Sequence, residues 1–130
     1  MTPGDALEPQ TYTVTRADLV RYAGASGDFN PIHWSDRTAT AVGLPGVIAH
    51  GMFTMALASR AVATWTGGAP VVDLGGKFTN MVVVPDTDGG TTVTVGGTVK
   101  SVDDGLVTLA LEVTCDGQKV LGNPRVVVRA

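Results

Sequence analysis

Along the chain, the spacing of apolar positions changes character near residue 70. Upstream it is helical and short. After a brief alternating segment at residues 10–14, Thr15 and Asp18 form a capping pair ahead of residues 17–26, where Leu19, Val20, Tyr22 and Ala23 recur at helical spacing. Gly24, Gly27, Asn30 and Pro31 end that helix. Ser35 caps a second short one that runs through Val42 and stops at Gly43. Residues 52–66 are apolar on nearly every face, including Met52, Met55, Leu57, Ala61, Val62 and Trp65. That pattern predicts a helix of about 15 residues, ~22 Å long and buried all round.

Downstream come four β-rich runs, VVDLGGKFTNMVVV, TTVTVGGTVKSV, LVTLALEVTC and KVLGNPRVVVR. Turn signals at residues 86–90, at Asp103-Asp104-Gly105 and at Asp116-Gly117 separate them, as in an antiparallel meander. In the third run Val107, Leu109, Leu111, Val113 and Cys115 alternate with Thr108, Ala110, Glu112 and Thr114, which turns one face inward and places Cys115 in the core. Proline removes a ladder donor, so Asn123-Pro124 in the last run predicts a bulge or a sheet edge. Helices first and strands after read as α+β rather than alternating βαβ, with a small antiparallel sheet curled around one apolar helix. Five strands cannot cover that helix unaided, so a second copy or a related chain is expected to complete it.

Composition narrows the classes. The 130 residues make one domain, 1–130, large enough to bury about two-thirds of the open chain's surface. With 44% hydrophobic and 16% charged residues, disorder is excluded. A net charge of −3 without any Lys/Arg cluster argues against nucleic acid as a ligand. One cysteine rules out an internal disulfide and, with only two histidines, is too sparse for a usual zinc site; no metal is expected. The start MTPGDALEPQ lacks a charged n-region and an apolar h-region, and glycines and a proline interrupt the uncharged stretch 38–59. No signal, anchor or membrane span is expected, and a reducing, cytoplasmic setting follows.

Candidate chemistry concentrates in Gly27-Asp28-Phe29-Asn30-Pro31-Ile32-His33 and in Ala49-His50-Gly51-Met52. A carboxylate that accepts a proton and an imidazole that titrates near neutrality suit water chemistry. Asn30-Pro31 forces a bend that can turn Asp28 and His33 to one space. From residue types alone, an Asx-turn at Asp28 and a structural His33 explain the segment better than a catalytic pair does. Gly51 stands where the apolar helix begins, so its N–H lacks an internal partner and can meet an oxygen gaining charge; a plain tight turn is the other reading.

The run from Tyr22 to His33, then Gly43-Leu44-Pro45 and Ile48-Ala49-His50-Gly51-Met52, resembles the hydratase-2 signature of the MaoC-like hydratase/dehydratase family. It is most similar to the catalytic subunits of actinobacterial (3R)-hydroxyacyl-ACP dehydratases. The similarity extends from about Gln10 to the C-terminus. It implies a hot-dog fold acting on trans-2-enoyl or (3R)-3-hydroxyacyl thioesters of coenzyme A or a carrier protein, without metal or redox cofactor. By that resemblance Asp28 and His33 hold the catalytic water, Gly51 N–H binds the thioester carbonyl and Asn30 orients the dyad. Ser59 matches a polar position of the pocket, although helix packing explains it as well. His50 is read as structural; Phe29, Trp34, Met55 and Trp65 are read as core, with shaping of the acyl pocket as the other reading. The resemblance also implies a homodimer or a pair with a second hot-dog subunit. Rival functions are an (R)-specific enoyl-CoA hydratase of β-oxidation or polyester synthesis, a hot-dog thioesterase, and a non-catalytic acyl-binding subunit.

Overall fold

A computed structural model describes residues 1–130. Strand β1 (Ala6–Val14) leads into α1 (Arg16–Ser26), a 3₁₀ turn (Pro31–His33) and α2 (Asp36–Ala41). Helix α3 (Gly51–Thr66) follows, then β2 (Val71–Phe78), β3 (Thr91–Asp103), β4 (Leu106–Cys115), the two-residue β5 (Gln118–Lys119) and β6 (Leu121–Arg129). The strands form one antiparallel sheet in the order β1-β3-β4-β6-β2, with β5 alongside β4.

The helix starts follow their caps. Thr15 and Asp18 make the full reciprocal capping box, Ser35 Oγ accepts from Thr38 N–H, and Asn30 Oδ1 accepts from Ile32 N–H. Two Asp-Gly pairs, 104–105 and 116–117, have positive φ at both residues, as a two-residue turn matching the strand twist requires. The alternation in β4 buries Val107, Leu109, Leu111, Val113 and Cys115 against Ala58, Ala61 and Val62 in one core cluster. Cys115 Sγ meets the buried Thr91 Oγ1 at 3.3 Å.

Three expectations need correction. Helix α3 is not buried all round in the single chain: Thr54, Met55, Leu57, Ala58, Ala61 and Val62 face the core, whereas Met52, Ala56 and Ala63 are exposed. A single sheet covers only one side of a helix, which leaves the opposite stripe bare. The first β-rich run is not one strand to Val84. It leaves the sheet after Phe78, where Thr79 Oγ1 and Asn80 Nδ2 both donate to Lys119 O, and residues 82–84 then pair with residues 47–49. Phe29 and Trp34 are exposed rather than core residues.

The Asn123-Pro124 disruption is a bulge. Gly75 faces Arg125 and Lys77 faces Gly122, so β6 carries one residue more than β2 across that interval, and Asn123 adopts φ 47°. A Cβ on Gly76 would stand 3.2 Å from Pro124 Cα, so the glycine is what lets the strands close over the bulge. No helix is long and apolar enough to cross a membrane.

Candidate active site

Asp28, the 3₁₀ turn and the start of α3 meet at one end of the sheet. The turn is held by Asn30 twice over: its side chain caps Ile32 N–H at 3.2 Å, and its own N–H donates to Asp28 Oδ1 at 3.2 Å. One residue thus ties the Asp28 carboxylate to the turn that carries His33. A brace outside the motif fixes the surrounding loops. Arg16 forks onto both Asp36 oxygens at 2.9 and 3.1 Å and donates from Nε to Val84 O, while Asp36 Oδ1 also accepts from Val47 N–H. Those bonds from Arg16 and Val47 hold the Asp36 carboxyl below its usual pKa. Nothing in the sequence marked this pair, because the two residues are twenty positions apart and belong to no motif.

His33 is buried, with Nδ1 2.7 Å from Ile48 O. A carbonyl only accepts, so Nδ1 carries the hydrogen and Nε2 is the free acceptor in the neutral ring. Nε2 lies 3.9 Å from Oδ2 of the half-exposed Asp28. That gap is too long for a direct hydrogen bond, yet one oxygen ~2.8 Å from each atom bridges it at an angle of about 90°. The dyad therefore has the spacing to share a water or a substrate hydroxyl.

His50 backs this pair. Its ring stacks on His33 with centroids 3.8 Å apart and planes 20° apart, and Tyr22 meets it edge-on at 4.8 Å. Nε2 donates to Asp28 O at 3.1 Å, while Nδ1 is buried without a partner in the protein. Burial, chiefly, and the neighbouring His33 hold His50 below the usual histidine range, against the opposing pull of its bond to the Asp28 carbonyl and of the Asp28 charge. A neutral, Nε2-protonated spacer results. One donor atom each from Asp28, His33 and His50 lies within 4.8 Å of the others. Of the imidazole nitrogens, His33 Nδ1 and His50 Nε2 are engaged by backbone carbonyls, which leaves His33 Nε2 and the buried His50 Nδ1.

Gly51 is the first residue of α3, and its N–H has no acceptor within the protein. It borders a cavity of about 350 Å³ with His33, Ile48, Thr54, Met81 and Val82, and a second of about 420 Å³ with Tyr22, Asp28, His50 and Met52. Of the residues singled out from the sequence, Asp28, Asn30, His33 and Gly51 therefore come together. Ser59, eight residues along α3 from Gly51 and so ~12 Å away, lines neither cavity. Thr54, which the sequence did not mark, is the buried polar residue of α3 at the first cavity.

Over 77 residues, 58% of the chain, the sequence is 40% identical to the 3-hydroxyacyl-thioester dehydratase X of Mycobacterium tuberculosis. The chain spans about a quarter (26%) of that relative's length. Among solved structures, a MaoC-like dehydratase superposes with a TM-score of 0.94 at 35% identity, covering 99% of this chain and 40% of its own. An R-hydratase from Pseudomonas aeruginosa, in its unliganded form, gives 0.85 at 26% identity, covering 100% of this chain and 82% of its own. Residues 1–116 match the family described as the MaoC like domain, and the chain belongs to that family.

Proposed function

We propose that the chain is an (R)-specific hydro-lyase that interconverts (3R)-3-hydroxyacyl and trans-2-enoyl thioesters of coenzyme A or a carrier protein, in fatty-acid-type elongation. The observation that carries this reading is the 3.9 Å separation of His33 Nε2 and Asp28 Oδ2 beside an unpartnered Gly51 N–H. The carbon next to a thioester carbonyl is acidic only if the oxygen can take up charge. A fixed N–H at Gly51 stabilises the developing enolate, and one such donor lowers the barrier by about 3 kcal/mol.

In the hydration direction a water held between Asp28 and His33 adds to C3. One member of the dyad enters the step protonated and delivers that proton to C2 while the other, unprotonated, takes the proton the water loses, so the pair ends with the one proton it began with. Dehydration reverses the path: the C2 proton leaves to one group and the C3 hydroxyl departs as water with a proton from the other. Asn30 serves as the positioning residue, and no step is assigned to Ser59.

A second hot-dog domain, from another copy or a distinct subunit, completes the molecule in this reading. Support comes from the edge strand β2, which leaves Val71, Val72 and Phe78 exposed, and from the bare Met52 on α3. Purified chain, alone and with a neighbouring hot-dog protein, is expected to lower the enoyl-thioester absorbance of a 2-enoyl-CoA. Release of free thiol instead marks a thioesterase. Binding of the thioester without absorbance loss marks an acyl-binding subunit. Light scattering is expected to give at least two hot-dog domains per active particle; an active monomer contradicts the pairing.

A further inference from the structure

Helical threonines in this chain return their hydroxyl to the helix: Thr40, Thr64 and Thr66 each donate to the carbonyl four residues back, at 2.8, 3.2 and 2.8 Å. Thr54 does not. The carbonyl four residues back from it is His50 O, whose two lone pairs already take Phe53 N–H at 3.0 Å and Thr54 N–H at 3.2 Å. That leaves the Thr54 hydroxyl without an acceptor in the protein, although the residue is only 4% exposed and lines the same cavity as His33 and Gly51. Of the two hydroxyls at that cavity, Thr79 Oγ1 is spent on Lys119 O at 3.0 Å, so Thr54 holds the free one. Burying a hydroxyl is costly unless something accepts from it. Side chains on a helix lean toward its N-terminus and cover the turn before their own Cα. Thr54 therefore leans back toward Gly51, three residues and ~4.5 Å of helix earlier.

We propose that the Thr54 hydroxyl is a second donor to the thioester carbonyl oxygen, sharing with the Gly51 N–H the charge that gathers there as C2 gains or loses its proton. This rests on the dehydratase/hydratase reading above. The hydroxyl keeps its hydrogen throughout; it donates a bond that strengthens with the charge, and the dyad alone moves protons. Thr54 faces the core and not the bare stripe of α3, so a second hot-dog domain seated on that stripe leaves its place unchanged.

The test compares Thr54→Val, which keeps the side chain's volume and removes the hydroxyl, with Thr54→Ser, which keeps the hydroxyl, in the full chain with any hot-dog partner it requires. Thr54→Val is expected to lower kcat and kcat/KM together by about 100-fold, with KM held within about twofold, as for a donor that acts mainly on the transition state. The loss is expected to be equal for butenoyl-, hexenoyl- and octenoyl-CoA, and Thr54→Ser is expected to recover most of the rate. Infrared difference spectra of hexanoyl-CoA, isotope-labelled at its carbonyl and without a double bond to hydrate, give a readout that packing alone does not move. The bound carbonyl stretch is expected at lower frequency in the wild type and Thr54→Ser than in Thr54→Val. A bound frequency unchanged in Thr54→Val, or equal rate losses in the valine and serine variants, overturns the second donor while sparing the functional reading. A KM that changes with chain length at constant kcat identifies Thr54 as a wall of the acyl pocket and also overturns the proposal. If the wild-type protein neither binds nor turns over the thioesters, the functional reading fails and the second donor falls with it. Thr54→Ala takes the place of the valine variant, with the same expectations, should that one fail to fold.

Discussion

Replacing Asn30 by alanine tests whether the turn beneath His33 is a positioning device. The substitution deletes the Oδ1 that caps Ile32 N–H at 3.2 Å, while the backbone N–H that binds Asp28 Oδ1 stays. The turn keeps its closing bonds from His33 N–H to Asn30 O and from Trp34 N–H to Pro31 O, so it is loosened rather than abolished. A lost cap of this kind costs about 1 kcal/mol. If that energy acts on the fraction of molecules with His33 in place, kcat falls roughly fivefold, since 1.36 kcal/mol corresponds to a factor of ten in rate. If it acts on global stability, Tm falls by about 3–5 °C. Asn30→Ser restores an uncharged acceptor and is expected to recover most of kcat. Steady-state kinetics on a 2-enoyl-CoA and thermal unfolding, run on both variants, separate the two effects. A normal kcat in Asn30→Ala, or a serine variant no faster than the alanine one, refutes the positioning argument.

Further outcomes follow from the same geometry. Asp28→Asn and His33→Ala are each expected to lower kcat by at least ~100-fold in protein that keeps its far-ultraviolet circular dichroism, the usual scale for a positioned acid–base group. Near-normal rates in both folded variants remove the dyad. His50 is held neutral, with a folded pKa below its unfolded value of ~6.5, so the unfolded chain takes up the proton first. Stability from this group is therefore complete above about pH 6.5 and is lost as pH falls below it, levelling off beneath the folded pKa. Melting curves from pH 7 to 5 are expected to show that decline, and a smaller one in His50→Asn; an unchanged slope rejects a neutral His50. Gly51→Ala is expected to fold, because what its Cβ meets at 2.9 Å is the far end of a side-chain ring and not backbone, but to lose much of its kcat/KM. Unaltered kinetics separate the glycine from the reaction.

Much of this site was legible because its signals are local. The bend at Asn30-Pro31, the cap at Ser35 and the capping box at Thr15 and Asp18 each depend on residues within four positions of one another, and all three form as their chemistry requires. Likewise the alternation of β4 carries its burial directly in its period. What the sequence concealed depends on distant residues. Phe78 reads as one more apolar position of a strand; only the pairing of β2 with β6 and the bulge at Asn123-Pro124 bring it over Gly51. Nor does periodicity show which stripe of α3 stays bare, since Met52, Ala56 and Ala63 are as apolar as the residues facing the core. His50 was read as structural; its stacking on His33 and its bond to Asp28 O give that role a physical content that residue type alone lacked.

The central claim is that Asp28, His33 and the Gly51 N–H act on one face of an acyl thioester. Its most direct test is the configuration of the product that the purified chain, with any hot-dog partner it requires, forms from a trans-2-enoyl-CoA. Chiral analysis is expected to show the (3R)-3-hydroxyacyl thioester alone, formed at a rate that collapses in the Asp28→Asn/His33→Ala double variant. A (3S) product, or a (3R) product formed as fast by the folded double variant, contradicts the account.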